Sequence, residues 1–131
     1  MKRKPNVRYE HHHMGVPTTQ QRPGEKYSST FKMYTSGGED LSGFHVQYHR
    51  FEEGSLLHLL LCTMPHVAFK VDNLEAAIDG EQVLLGPYFP FEGFLVAAIE
   101  DSGVAIEFIQ TELSEEEIWG SPKLNSFIYP G

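Results

Sequence analysis

Two segments of the sequence share one pattern: HMGVPT at residues 13–18 and HVAFKV at residues 66–71. Each begins with a histidine, has a small residue at the third position and has a residue that favours β-structure at the fourth. This internal repeat indicates a duplicated strand unit, and it predicts that His13 and His66 meet at the axis relating the two copies. Because imidazole is the commonest metal ligand in proteins near neutral pH, the repeat makes these histidines a candidate metal site.

The composition narrows the class of protein. The chain has 131 residues, 40% of them hydrophobic, which is typical of one domain with an ordinary core. Its formal net charge of −8 argues against a nucleic-acid surface, because phosphate binding needs clustered lysine and arginine. No apolar run approaches the roughly 18 residues of a membrane span, and the basic start is not followed by the apolar segment of a signal peptide. We therefore expect a cytoplasmic protein with no nucleic-acid or membrane partner.

The second half of the chain has the clearer order of elements. In chain order we predict a strand at 67–71, a short helix, and strands at 82–85, 94–99 and 104–110. Asp72 and Glu75 have the spacing of a capping box that begins the helix, and Gly80 ends it. Residues 86–93 are expected to form a loop. Ser114 and Glu117 have the same spacing as a capping box, which predicts a second short helix.

The first half has three predicted strands and a weaker helix signal than the second half. We predict strands at 7–16, 31–35 and 44–51, the first of which ends at Pro17 because proline cannot donate to a sheet. Residues 18–29 are polar and lack the apolar period of a helix, so any helix there is short. Residues 56–62 are apolar throughout, and they fit either a buried strand or one or two helical turns.

Glu107 is the candidate acidic ligand, because it is a carboxylate between Ile106 and Phe108 in an otherwise apolar strand. It either faces solvent or ligates a cation inside the sheet, since burying a carboxylate without a partner is costly. Strand alternation places His13 on one face of the first strand and turns His12 to the other face.

The counterpart of Glu107 in the first half has two candidates. The interval from His66 to Glu107 is 41 residues, and the equivalent interval from His13 is 32 for His45 and 45 for His58. The interval therefore favours His58, whereas strand character favours His45, which would share its face with Gln47 and His49. We predict His45 and keep His58 as the alternative.

The sequence resembles the vicinal oxygen chelate superfamily of glyoxalases, bleomycin-resistance proteins and extradiol dioxygenases. The segments that carry this resemblance are HHMGVP at 12–17, PHVAFKVDNLEAA at 65–77 and GVAIEFI at 103–109. It implies an α+β fold in which paired βαβββ modules form a cupped mixed sheet, here with a reduced helix in the first module. The expected division of this single domain, 1–131, is a first module at 8–63, a second module at 64–112, and a C-terminal helix and tail at 113–131.

The resemblance also implies the chemistry of the site. The metal ligands carried over by position are His13, His66 and Glu107, with His45 or His58 in fourth place. Such a set suits a divalent ion such as Zn, Ni, Co, Mn or Fe, and the ion would act as a Lewis acid on a small substrate that chelates it through neighbouring oxygens. The expected activity is that of a lyase, isomerase or dioxygenase, with Glu107 as the candidate catalytic base and a homodimer as the expected assembly.

A non-catalytic binding protein, like the bleomycin-resistance members, is the alternative function. In that case the cup would hold an apolar or aromatic small molecule without metal chemistry. The aromatic residues that would contact it are Tyr34, Tyr48, Phe89 and Phe91.

Overall fold

The structure, a computed structural model, describes residues 2–37, 44–55, 57–114 and 117–118. Its elements are, in chain order, β1 (Tyr9–Pro17), β2 (Lys26–Ser28), β3 (Met33–Gly37), β4 (Val46–Phe51), α1 (Leu59–Thr63), β5 (His66–Val71), α2 (Leu74–Ile78), β6 (Gln82–Phe91), β7 (Phe94–Asp101) and β8 (Val104–Thr111). The strands form one eight-stranded sheet in the order β2-β3-β4-β1-β5-β8-β7-β6. This strand order is a mirrored pair of four-stranded units, which confirms the predicted α+β fold of paired modules in one mixed sheet.

The repeat that opens the two modules lies at the centre of the sheet. β1 pairs with β5 in the antiparallel direction, and this pairing sets Gly15 opposite His66 and His13 opposite Ala68. Each histidine is therefore paired with the small residue of the other copy. The outward pairings repeat as well, because β1 is parallel to β4 and β5 is parallel to β8. The two copies of the repeat meet at the pseudo-symmetry axis, as the sequence predicted.

The helices differ between the two modules. Across the described residues between β1 and β2 no helix forms, so the first module has a reduced helix, as predicted. The ambiguous segment 56–62 contributes to α1, and its helical interpretation is the correct one. α1 begins after His58, whose Nδ1 accepts a hydrogen bond from the backbone N–H of Leu60 at 3.1 Å.

The cap of α2 is one residue later than predicted. Asn73 is the N-cap, and its side-chain oxygen accepts from the N–H of Ala76. The carboxylate of Asp72 instead accepts a hydrogen bond from the backbone N–H of Arg8, which lies just before β1, so it does not cap the helix. Asn and Asp are equally favoured as N-caps, so the sequence alone does not distinguish Asp72 from Asn73. The contact of Asp72 with Arg8 decides which of them caps the helix.

β6 is longer than predicted, because the segment expected to be a loop continues the strand to Phe91. The strand pairs with β7 through several register shifts, which accommodate Gly86 and Pro87. Since β6 is at the edge of the sheet, proline is tolerated there. The hairpin turn to β7 consists of only Glu92 and Gly93.

The second module is buried on both faces of its sheet. Ala97, Ile99 and Phe108 pack with α2 on one face. Val96 and Ile109 belong to the core of the opposite face. Strands covered on both sides are apolar almost throughout, which explains why β7 and β8 show so few polar residues. The candidate site is on the face opposite α2.

Two further sequence predictions concern the end of the chain and membranes. The capping box is confirmed, since the Ser114 hydroxyl accepts from the Glu117 N–H at 3.2 Å and the Glu117 carboxylate accepts from the Ser114 N–H at 3.0 Å. The rest of the predicted tail, from residue 119 on, lies outside the described residues. In the part of the chain that is described, no helix has both the length and the hydropathy of a membrane span.

Candidate metal centre

Three of the predicted ligands converge on the concave side of the sheet. One ligand atom from each of His13, His66 and Glu107 lies within 4.8 Å of the others. Oε2 of Glu107 is 3.0 Å from Nε2 of His66 and 4.0 Å from Nε2 of His13. The three side chains come from β1, β5 and β8, which are adjacent in the sheet, and they are 6%, 6% and 15% exposed, in that order. Glu107 therefore faces the interior of the cup rather than bulk solvent.

The small residues of neighbouring strands make room for this cluster. Glu107 is paired with Ala68 on β5 and with Ala98 on β7. The His66 ring lies directly over Gly15, where an added Cβ would be 2.2 Å from His66 Cε1. The small third position of the repeat therefore has a steric cause, because a larger residue at position 15 would occupy the space of the imidazole.

The fourth predicted ligand does not join the cluster. His45 lies just before β4 with a positive φ of 50°, and its backbone carbonyl accepts from the N–H of Met14. His58, the alternative, is exposed and caps α1. Neither residue lines the cavity that contains the three converging ligands.

The strand register assigns the fourth position to Gln47. In the second module Ala68 is opposite Glu107, and in the first module Gly15, the equivalent of Ala68, is opposite Gln47. Gln47 is 4% exposed and lines the same cavity. The alignment of the two halves of the sequence matched His45 to Glu107, two residues away from the observed register. A shift of two residues stays on the same face of β4 but selects a different residue.

His49, the next residue on the same face of β4, also lies beside the cluster. Its ring is stacked on the His66 ring with the centroids 6.0 Å apart. Its Nδ1 is 3.0 Å from the Thr35 hydroxyl, which fixes the plane of the imidazole. The sequence analysis placed His49 and Gln47 on this face but did not assign either to the site. Assigning them to the site requires the register between the parallel strands β1 and β4, and the alternation of side chains along a strand does not determine that register.

The state of His66 shows that the residues fit a metal ion. Both of its ring nitrogens are buried, and neither has a hydrogen-bond partner among the described residues. Oε2 of Glu107 is within ion-pair distance of Nε2, at 3.0 Å. A buried polar atom without a partner costs about 1–3 kcal/mol, and coordination of an ion would remove that cost for one of the two ring nitrogens.

Burial gives the cluster the protonation states that metal ligands need. It lowers the pKa of His13 to about 3 and that of His49 to about 4, so both imidazoles are neutral at neutral pH. Burial alone raises the pKa of Glu107, but its contact with His66 and the nearby His13 and His49 outweigh burial and lower that pKa to about 2. A divalent ion binds neutral imidazoles and ionised carboxylates, so His13 and Glu107 are already in the forms that ligate an ion.

These lowered pKa values predict that the metal-free protein loses stability in mild acid. In the unfolded chain both histidines bind protons below pH 6.5, whereas in the folded chain they do not until about pH 3–4. Their stabilising contribution is therefore complete above pH 6.5 and is lost as the pH falls below it, by about 1–3 kcal/mol per pH unit. Urea unfolding with a chelator present, at steps from pH 7.5 to 5, measures this slope.

Two variants check which groups cause the loss. His49→Gln removes one of the two titrating groups and is expected to reduce the slope by about half. His11→Gln changes an exposed histidine on β1 and is expected to leave the slope unchanged. A free energy of unfolding that stays constant from pH 6.5 to 5 would contradict the assignment of buried, neutral imidazoles.

The cluster forms the polar end of an apolar cavity of about 60 Å³. This volume has room for only a few water-sized groups next to the ligands. Its apolar walls consist of Phe31, Met33, Phe51, Leu57, Leu61, Leu85, Phe91, Phe94, Val96, Ala98 and Ile118. Among the described residues that line the cavity there is no lysine or arginine.

The aromatic residues proposed for a binding protein are mostly elsewhere. Phe91 lines the cavity. Tyr34 and Tyr48 have the guanidinium groups of Arg50 and Arg22 over their rings, at 4.0 and 3.8 Å from the ring centroids. Phe89 is 54% exposed.

Tyr88 is a cavity residue that the sequence analysis did not identify. Its ring packs edge-on against Phe31 with the centroids 5.8 Å apart. Burial and the charge of Glu107 raise the pKa of its phenol, which therefore stays protonated. The residue was placed in a predicted loop, and only the continuation of β6 brings it to the cavity.

A β-bulge changes the direction of His12. The pairing of β1 with β5 shifts register between His11 and His13, so His12 is an extra residue in the strand. His12 was expected to turn away from His13, and this expectation is wrong. Nδ1 of His12 lies 2.8 Å from Nδ1 of His13, because alternation of faces fails at a bulge.

Two solved structures have the same fold as this chain. The hypothetical protein BH1468 from Bacillus halodurans C-125 is 15% identical, with a TM-score of 0.58 over 83% of this chain and 97% of that one. Methylmalonyl-CoA epimerase from Mycobacterium tuberculosis is 13% identical, with a TM-score of 0.54 over 79% of this chain and 89% of that one. The sequence matches no protein-family model and no curated protein. At these identities the likeness shows a shared fold.

Proposed function

We propose that this chain is a metal-dependent enzyme that acts on a small substrate with two neighbouring oxygens, in an isomerase- or lyase-type reaction. The observation that carries the proposal is the convergence of His13, His66 and Glu107, whose ligand atoms lie within 4.8 Å of one another. Two imidazoles and a carboxylate suit Zn, Ni, Co, Mn or Fe(II). A bound ion would supply a Lewis acid that polarises a substrate oxygen. The isomerase named among the similar structures makes this class of reaction the leading one.

The residues around the cluster have separate roles in such a reaction. His13 and His66 would hold the ion through one ring nitrogen each. Glu107 has two carboxylate oxygens, so it can bind the ion through one and accept a proton from the substrate carbon through the other. In an isomerase the same carboxyl returns that proton to the substrate. Tyr88 keeps its phenolic proton and can donate a hydrogen bond to a substrate oxygen.

The walls of the cavity indicate the kind of substrate. They are apolar, and the described lining residues offer no cation to a phosphate or carboxylate group. The reacting end of the substrate therefore carries the neighbouring oxygens, and the rest is uncharged and apolar. The substrate in the name of the epimerase is therefore not proposed for this chain.

The apolar walls also favour a second function, a small-molecule binding protein that needs no metal. In that case the histidine cluster is structural, and ligand binding depends on side chains such as Phe91 and Phe94. The two functions make opposite predictions about the metal.

Metal analysis of untagged protein separates the two functions. We expect close to one divalent ion per chain, together with metal-dependent exchange of a carbon-bound proton in apolar α-hydroxyketones incubated in D2O and followed by NMR. A chelator should abolish the exchange, and the ion should restore it. A metal-free protein that binds the same compounds with undiminished affinity would contradict the enzyme and support the binding protein. Oxygen consumption with a catechol, without proton exchange, would assign a dioxygenase instead.

A further inference from the structure

The bulge in β1 places an imidazole behind a metal ligand. His12 is the extra residue at the register shift, and its ring is 5.1 Å from the His13 ring and 5.7 Å from the Phe94 ring, between centroids. The contact between the two histidines is a hydrogen bond of 2.8 Å that joins Nδ1 to Nδ1. A regular strand would turn position 12 away from position 13, so this contact depends on the bulge.

The hydrogen bond between the two Nδ1 atoms limits where the protons of this pair lie. One Nδ1 must carry a proton and donate, and the other must accept. Nε2 of His13 is the nitrogen that faces Glu107, at 4.0 Å, and a metal ligand must present an unprotonated nitrogen. A His13 that presents Nε2 to an ion would therefore carry its proton on Nδ1 and donate it to His12, whose own proton would then be on Nε2.

We propose that His12 is a positioning residue that holds His13 in the Nδ1–H tautomer, with Nε2 directed at the metal. The inference rests on the proposed function, because it assigns a partner to one of the metal ligands. Acceptors behind metal-bound histidines orient the ring and raise its basicity, and their removal typically weakens metal binding by about 10–100-fold. Here the acceptor is another histidine, at the preceding position in the chain, whereas carboxylates and backbone carbonyls are the usual acceptors.

The experiment compares variants that keep or remove the acceptor. His12→Phe preserves a ring against Phe94 but cannot accept a hydrogen bond. His12→Asn places an amide oxygen close to the position of Nδ1 and can accept. His11→Phe is the matched control, because His11 is exposed on the same strand. Binding of Zn²⁺ is measured by competition with a chromophoric chelator, and the His13 tautomer is read from long-range ¹H–¹⁵N NMR spectra of the metal-free protein.

We expect His12→Phe to weaken Zn²⁺ binding by about 10–100-fold and to shift His13 away from the Nδ1–H tautomer. His12→Asn should recover most of the affinity and the tautomer, and His11→Phe should match the wild type. Equal losses in His12→Phe and His12→Asn would overturn the proposal, since the loss would then follow ring packing. Wild-type affinity in His12→Phe would overturn it as well.

The tautomer measurement distinguishes this inference from the proposed function. If the wild-type protein binds no metal, the proposed function fails, but the NMR spectra still report whether His12 sets the tautomer of His13. If metal binds and the wild-type His13 carries its proton on Nε2 in the metal-free protein, the proposed function stands and the role of His12 is refuted. Circular dichroism of each variant confirms that the fold is retained.

Discussion

Glu107→Gln is expected to abolish stoichiometric metal binding while leaving the fold intact. Glutamine has the shape of glutamate, so the packing between Ala68 and Ala98 is preserved. The substitution removes the anionic member of the described cluster and leaves neutral ligands. The loss of affinity should exceed the 10–100-fold that is typical of a residue behind a ligand, so we expect more than about 100-fold. Isothermal titration with Zn²⁺ and metal analysis of the purified variant measure it.

The control for this substitution is Glu112→Gln, which removes the same charge from an exposed position just beyond β8. His45→Ala and His58→Ala test the two residues that the sequence offered as fourth ligand, and both are expected to retain the ion. A Glu107→Gln protein that binds Zn²⁺ with wild-type affinity would refute the metal centre, whatever the other variants show.

Gly15→Ala is expected to destabilise the protein and to remove the metal site through a single methyl group. The Cβ would lie 2.2 Å from Cε1 and 2.6 Å from Nε2 of His66, which is well inside contact distance. Because the imidazole is buried, it must be displaced from the cluster or the strands must separate. Overpacking of this kind typically costs about 1–3 kcal/mol, and the displaced ring no longer ligates. Chemical denaturation and Zn²⁺ titration measure the two effects.

A double-mutant cycle tests whether the clash between position 15 and the His66 ring causes the loss of stability. In a protein that already carries His66→Ala, the space over position 15 is open, so adding Gly15→Ala should cost little stability. The clash then appears as a coupling free energy between the two substitutions in the metal-free protein. If Gly15→Ala is as destabilising with His66→Ala as without it, the cause is the backbone of β1 rather than the ring.

The paired histidines were predictable from the sequence because the repeat and the sheet obey the same symmetry. The repeat places a histidine two positions before a small residue in each copy, and antiparallel pairing of the copies sets each histidine against that small residue. Glu107 was identifiable as well, because a carboxylate within an apolar strand needs a partner. These signals depend on residue type and local spacing, which the sequence contains.

The remaining site residues depend on register, which the sequence leaves open. Gln47 takes the fourth position because of how far β4 slides along β1, and a shift of two residues keeps the same face and the same hydrophobic pattern. His12 reaches His13 through one extra residue in the strand, and no feature of residues 11–13 marks that irregularity. Tyr88 was missed because Gly86 and Pro87 suggested a loop, whereas an edge strand tolerates both.

The pairing of β1 with β5, which joins the two halves of the chain, has a consequence for stability against unfolding. An ion bound beside this strand pair would cross-link the two halves of the chain, since its ligands come from both of them. Neither half could hold it alone, so separating the halves would release it. The free energy gained is set by mass action, about 2.7 kcal/mol at a free ion concentration 100 times the dissociation constant. The melting temperature would then track metal supply, and starving cells of the ion would shorten the lifetime of the folded protein.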